Sequence, residues 1–323
     1  MKHTVKTVLL IGLALVALFG MTACPNSAGG SGSGSGSGGG NSGGGGTPLT
    51  PSADKTYTAN GVNFTMKGIA AVTNGTVGHA NVNSNKPHTV SLTAYRIGEM
   101  EVTQELWTAV RGTNPSEFNG TAGKEPAEGE TQEKRPVEKV NWFECIAFCN
   151  ELTKKVPELG ESRCVYTVDG HTYGTADAAA KKVPNMDMSK KGFRLPTEAE
   201  WEWAAKGGTE DEWAGTDTES ELKNYAWYIA NSDNKTHEVK KNLPNGYGFY
   251  DMSGNVLEWC WDWRSNTTPV GGQDPTGAAS GTKRVERGGC WSSTAPSAAC
   301  AYRDSDLPDG SFRYLGFRVV CRP

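Results

Sequence analysis

Residues 192–208 read GFRLPTEAEWEWAAKGG, and this stretch carries both ends of a helix. Thr197 stands as N-cap with Glu200 three residues on, the spacing of a capping box in which each side chain serves the other's orphan amide. Pro196 precedes the cap, Trp201, Trp203 and Ala204 form the body, and Gly207-Gly208 supply the left-handed stop. The same punctuation recurs upstream. Glu101-Val102-Thr103 leads into a helix predicted from 104 to about 111, closed by Gly112. Asn141 is an N-cap with Glu144 at its third position, and Cys145, Phe148, Cys149 and Leu152 follow as an apolar stripe at i, i+3, i+4, i+7. Thr89, Ser91 and Thr93 alternate with Val90, Leu92 and Ala94, the period of a half-buried strand. Beyond Gly208 the chain is rich in Gly, Asn, Asp and aromatic residues without a clear period. This predicts irregular structure and short strands, with 315–321 as the last strand. No solenoid repeat is visible.

Outward from this region the chain changes character. It has 323 residues, and 12 of its 41 glycines lie between Gly29 and Gly46. Residues 1–23 read as a signal peptide: Lys2 and Lys6 form a basic start, and Val8 to Phe19 an apolar run too short to span a bilayer comfortably. The run ends in Met21-Thr22-Ala23-Cys24, which resembles a bacterial lipobox, so Cys24 is the expected lipidation site and the first mature residue. Residues 24–54 form a Gly/Ser-rich tether with a root-mean-square reach of roughly 30 Å. That leaves 55–323 as one domain, roughly 270 residues, enough for a sizeable core. The expected location is an outer membrane and cell surface, with the membrane reached through the lipid. The net charge of -4 and pI of about 5.8 exclude a dedicated nucleic-acid binder, which needs a basic patch. A mean hydropathy of -0.53 excludes a polytopic membrane protein.

Four blocks, taken together, resemble the formylglycine-generating-enzyme, or sulfatase-modifying-factor, domain. They are EMEVTQELW near Glu99, the opening stretch at 192–208, NGYGFYDMSGNVLEWCWDW at 245–263, and RGGCW at 287–291 closed by LGFRVV at 315–320. The resemblance implies an α+β, C-type-lectin-like fold with much irregular structure. It also implies chemistry to look for. The family's enzymes bind copper through two cysteines shortly after the RGG-S-[YW] motif. Here Ser293 and Ala298 stand at those places, and Cys290 and Cys300 lie nearby at other offsets. Neither Ser nor Ala replaces a thiolate, so no copper is expected and the catalytic assignment is none; a shifted cysteine pair is the alternative. The family's calcium loop maps onto the side chains of Asp251 and Glu258 and the carbonyls of Gly254 and Val256. Hard oxygen donors suit structural Ca²⁺, and a plain turn is the other reading. The second calcium loop looks absent, because Trp227 stands where an Asn ligand is expected.

His79, His88, His171 and His237 show no metal spacing and read as surface residues. Cys145 and Cys149 read as small core residues, while Cys164, Cys260, Cys290, Cys300 and Cys321 have room for one or two bridges in an exported protein. Trp259, Trp261 and Trp263 read as core, with sugar binding by exposed aromatics as the alternative.

The segment about 290–314 reads CWSSTAPSAACAYRDSDLPDGSFRY. From Gly288 to Pro323 there is no Lys, Glu, Gln or Met. Those residues, with Trp, cannot arise when the adenines of AAC codons are randomised. Trp291 is the single exception and belongs to the fixed motif. This composition at the end of a lectin-like domain resembles the variable proteins of diversity-generating retroelements. The resemblance implies a ligand site of Ser292, Ser293, Thr294, Pro296, Ser297, Asp304, Ser305, Asp306, Leu307, Asp309, Gly310, Phe312 and Tyr314, with Trp291 at its base. Ser, Asp, Tyr and Phe make adaptable contacts in paratopes. The expected function is non-enzymatic binding of a protein or cell-surface ligand; an oxidase with a shifted cysteine pair and a structural lipoprotein without a ligand are the alternatives.

Overall fold

The computed structural model describes residues 53–323; the signal peptide, Cys24 and nearly all of the tether lie outside the described residues. The three predicted helices form where their caps dictate. They are α1 (Gln104–Arg111), α2 (Trp142–Lys155) and α4 (Glu198–Lys206), and a short α3 (Thr175–Ala179) that carries no such sequence signal lies between the last two. Both capping boxes are closed. Asn141 accepts from the Glu144 amide at 3.0 Å and Glu144 from the Asn141 amide at 2.9 Å. Thr197 and Glu200 exchange the same pair of bonds at 3.3 and 2.9 Å. Gly112 and Gly207 end their helices at φ of 77° and 61°, a conformation that costs glycine nothing.

Fourteen short strands complete the described structure. The first five are β1 (Lys55–Ala59), β2 (Val62–Ile69), β3 (Val72–Val77), β4 (His88–Leu92) and β5 (Tyr95–Gly98). Next come β6 (Tyr166–Val168), β7 (His171–Thr172), β8 (Asn185–Met186), β9 (Leu257–Trp263) and β10 (Gly272–Gln273). Last are β11 (Arg284–Arg287), β12 (Asp304–Asp306), β13 (Leu315–Gly316) and β14 (Val320–Cys321). They make four small sheets, ordered β1-β2-β5-β14, β10-β4-β3, β12-β11-β9-β13 and β7-β6-β8. This is an α+β architecture with much irregular backbone. His88 opens β4, where its main chain pairs with Val77.

One expectation is overturned here. The run 315–321 is not one strand. It splits into β13, paired with β9, and β14, paired with β5. Between them the chain crosses the interior, where Phe317, Arg318 and Val319 are all buried. Irregular structure and short strands follow α4 as expected, the longest being the seven-residue β9 at the centre of its sheet.

Buried ion pairs hold these elements together. Arg194 forks onto Glu200 with two bonds of 2.6 Å. Arg318 meets Glu258 at 2.6 and 2.7 Å and donates on to the carbonyls of Gly98 and Tyr250. Such fully desolvated pairs are stable only when both partners are present and the remaining donors are satisfied. All seven described cysteines are buried and free, so the one or two bridges for which Cys164, Cys260, Cys290, Cys300 and Cys321 left room are absent among the described residues. Cys260 and Cys300 lie in one core cluster, Cys290 and Cys321 in another. Cys321 approaches the Tyr57 hydroxyl at 3.8 Å, and Cys164 faces the Asn150 carbonyl at 3.5 Å.

Candidate functional site

The sheet β12-β11-β9-β13 presents the segment that follows Arg287. Gly288 and Gly289 turn the chain off β11 at φ of 93° and 71°. At Gly289 a side chain would sit 2.7 Å from the Ser297 carbonyl, so only glycine lets the two runs of the segment approach. Arg287 is fully buried, and its guanidinium fans out over that approach. It donates to the carbonyls of Cys300 at 2.8 Å and of Tyr302 at 2.6 Å, reaches Ala301 at 3.2 Å, and pairs with Glu202 of α4. Arg303 ties the far side to Glu198, also on α4.

Most other anchors of the segment also grip main-chain carbonyls. Ser232 donates to Trp291, Trp213 to Ala295 and Ser253 to Ala298, at 2.7 to 2.8 Å. Backbone amides of Ile229, Trp142, Lys139 and Leu257 take the carbonyls of Ser293, Pro308, Phe312 and Tyr314. A carbonyl is present whatever the side chain, so most of the bonds that hold this path do not depend on which side chains it carries.

Burial divides the segment accordingly. Trp291 is 4% exposed, packed edge-on against Phe118 at 5.6 Å with the Arg313 guanidinium over its ring. Ala295, Ala298, Ala299, Cys300, Ala301 and Arg303 are buried too. None of the other thirteen expected site residues is buried. Ser292, Thr294, Pro296, Leu307 and Asp309 are exposed; Ser293, Ser297, Asp304, Ser305, Asp306, Gly310, Phe312 and Tyr314 are half-buried. The buried Cys290 thiol lies 3.2 Å from the Ser292 hydroxyl, and burial together with the charges of Asp304 and Asp306 raises the pKa of the Tyr314 phenol. Asp309 is drawn aside by Lys181 at 2.7 Å, which holds its carboxyl below the usual range.

Several neighbours were not legible in the sequence. Ile229, 56% exposed, borders Ser293. Tyr302 and Pro296 help line a cavity of about 330 Å³ between the loop at Gly78 and the end of α4. Glu286 faces the segment from β11, placed there by strand register that no local pattern announces.

The remaining candidates resolve as follows. His237 is not a surface residue. It is buried, stacked on Trp227 at 3.9 Å, with its ring nitrogens 2.8 Å from Glu130 and from the Ser232 carbonyl. Trp259 is core, whereas Trp263 and Trp261 are half-buried and flank the Arg284 guanidinium. The calcium donor set does not fit its ion. Glu258 is engaged by Arg318 and by the Trp201 indole at 2.8 Å, and a divalent cation there would abut the guanidinium. Asp251 accepts from the Lys240 amide at 2.9 Å through one oxygen, and its other oxygen is buried without a partner. Burial raises its pKa to about 6. Gly254 and Val256 serve the turn through their amides, bonded to Gly288 and Glu101. Among the described residues no group of three or more His, Cys, Asp or Glu is arranged to hold a metal ion.

This fold and these motifs define the class: the chain belongs to the sulfatase-modifying factor enzyme 1-like domain family, whose model matches residues 51–323. Among solved structures it is similar to Treponema denticola variable protein 1, at 55% identity and a TM-score of 0.76, covering 84% of this chain and all of that one. Among curated proteins it is 33% identical to the chaperone protein LppX of Paenibacillus barcinonensis, over 72% of this chain and 81% of the relative. It is 37% identical to a formylglycine-generating enzyme of Thermomonospora curvata over 41% of this chain, and spans half the length of that enzyme. PvdO of Pseudomonas aeruginosa, at 18% identity and a TM-score of 0.57, shares the fold.

Two measurements follow. Arg287→Met strands the buried Glu202 and three carbonyls, and should cost about 3–5 kcal/mol in urea denaturation. Ser292→Tyr or Leu307→Ser should stay within about 0.5 kcal/mol; equal losses at both kinds of position would contradict the division between path and side chains. Because Glu258 is held by Arg318, EDTA should leave the melting temperature unchanged. A fall on chelation, restored by Ca²⁺, would show that an ion binds and stabilises the native state.

Proposed function

We propose that this is a lipid-anchored, surface-displayed binding protein without enzymatic activity, whose segment at about 290–314 is diversified by a retroelement to vary its ligand. One observation carries the reading: the segment is held mainly through its carbonyls, and of its five exposed site residues only Asp309, paired with Lys181, bonds a side chain elsewhere in the protein. Such a surface tolerates replacement, which a diversified site requires. The similarity to a protein titled a variable protein supports the same reading. Cys24 is the proposed acyl carrier, the tether holds the domain clear of the outer membrane, and the ligand is a protein or another cell-surface molecule.

The geometry gives the oxidase reading no support. Cys290 and Cys300 sit in separate core clusters. Burial pushes the Cys300 thiol up to about 12, away from the thiolate that copper binding needs. Ser293 is engaged by the Cys290 amide at 2.9 Å, and Ala298 is packed under the segment.

Sequencing the gene's neighbourhood tests the proposal directly. A second, imperfect copy of the DNA encoding this segment, differing at adenines and lying beside a reverse-transcriptase gene, is the expected result. The protein incubated with copper and a cysteine-containing sulfatase peptide should yield no formylglycine. A unique coding segment, or turnover abolished by Cys290→Ser, would overturn the reading.

A further inference from the structure

The sheet edge beneath the segment carries a buried acid, Glu286, that the described protein leaves without a partner. Glu286 on β11 stands opposite Asp304 on β12 in the antiparallel register, and opposite residues project to the same face. Asp306, two residues further along β12, shares that face and stands opposite Arg284, whose guanidinium is taken up among the rings of Trp142, Trp261 and Trp263. Glu286 is 3% exposed, yet its Oε1 has no hydrogen-bond partner. Asp304 and Asp306 bond the amides of their own next residues, Ser305 and Leu307. Lys283 is the one basic group whose charge is felt at Glu286, and among the described residues it makes no ion pair with it.

Like charges opposite one another destabilise a sheet, and a buried carboxylate without a partner costs free energy. Burial and its two acidic neighbours accordingly hold the Glu286 carboxyl well above the usual range. A buried orphan of this kind calls for an explanation. A bound metal ion does not provide it, since no side-chain cluster among the described residues is arranged for one. The aromatic side of the face suggests another answer. Phe312 and Tyr314 stack at 5.2 Å with ring planes 2° apart, and the Tyr314 phenol lies within the field of Glu286, Asp304 and Asp306. A carboxylate floor beside an aromatic wall matches an organic cation that brings its own N–H donors, by ion pairing and cation–π attraction together.

We propose that Glu286, Asp304 and Asp306, with the Phe312–Tyr314 wall, form a recognition site for a lysine or arginine side chain on a basic segment of a protein partner. The proposal rests on reading the segment at 290–314 as the ligand surface and deepens it. Glu286 lies outside that segment, so every variant would keep the buried acid while its surroundings change. Cation recognition would then be a constant feature and fine specificity the variable one.

The test titrates the full chain with a decalysine peptide and, separately, with a decaglutamate peptide of equal length, followed by calorimetry. Decalysine should bind and decaglutamate should not. Glu286→Gln, and separately the paired change Asp304→Asn with Asp306→Asn on the half-buried strand, should each weaken decalysine binding at least tenfold. Glu158→Gln, which alters a distant acid paired with Lys55, should leave it unchanged. Circular dichroism establishes that the variants fold; if Glu286→Gln does not, the Asp304/Asp306 pair decides. Equal affinity for decalysine in wild type and folded variants, or no binding to either peptide, overturns the proposal. Failure of the broader ligand-surface reading is seen separately, as unfolding when the exposed residues 292, 294, 296 and 307 are replaced together.

Discussion

The arrangement turns on one buried guanidinium. Arg287 ends β11, and from that fixed point it bonds three successive carbonyls of the segment at 300–302 and the carboxylate of Glu202. Glu202 in turn accepts from the Gly78 amide and from Asn85 at 2.8 Å. The loop at 78–85, helix α4, β11 and the segment therefore meet at a single desolvated ion pair. Removing either partner leaves a buried charge, which is why such a pair is costly to break even where its net contribution to stability is small.

The anchoring has a functional corollary. Because the donors act on carbonyls, the path of the segment is nearly independent of its side chains, apart from a buried set of alanines with Cys300 and Arg303. These small residues fill the space under the segment, and Arg303 locks onto Glu198. Under the proposed function, fold and specificity are carried by different atoms of the same residues. The exposed side chains then change the surface chemistry at little cost in stability.

Much of this was legible in the sequence, and the rest was not, for physical reasons. The three long helices declare themselves through caps within four residues, as at Asn141 with Glu144 and Thr197 with Glu200, and they form where those caps stand. The sheets are built from short strands whose partners lie far apart in sequence, such as β14 with β5 and β9 with β13. No local period encodes such pairings. The break at Phe317 and Arg318 depends on Glu258, sixty residues earlier. The exposure of residues such as Ser292 and Leu307 agrees with composition alone. The role of Glu286 depends on β-register, and the burial of His237 on a Trp227 ring that sequence gave no reason to place against it.

The most direct measurement compares two libraries of the displayed domain sorted by protease resistance. One randomises the exposed positions 292, 294, 296, 307 and 309; the other randomises the buried positions 295, 298, 299, 301 and 303. If carbonyl anchoring holds the segment, most members of the first library remain folded and few of the second do. Comparable losses in the two libraries would contradict it, because the exposed side chains would then be holding the fold.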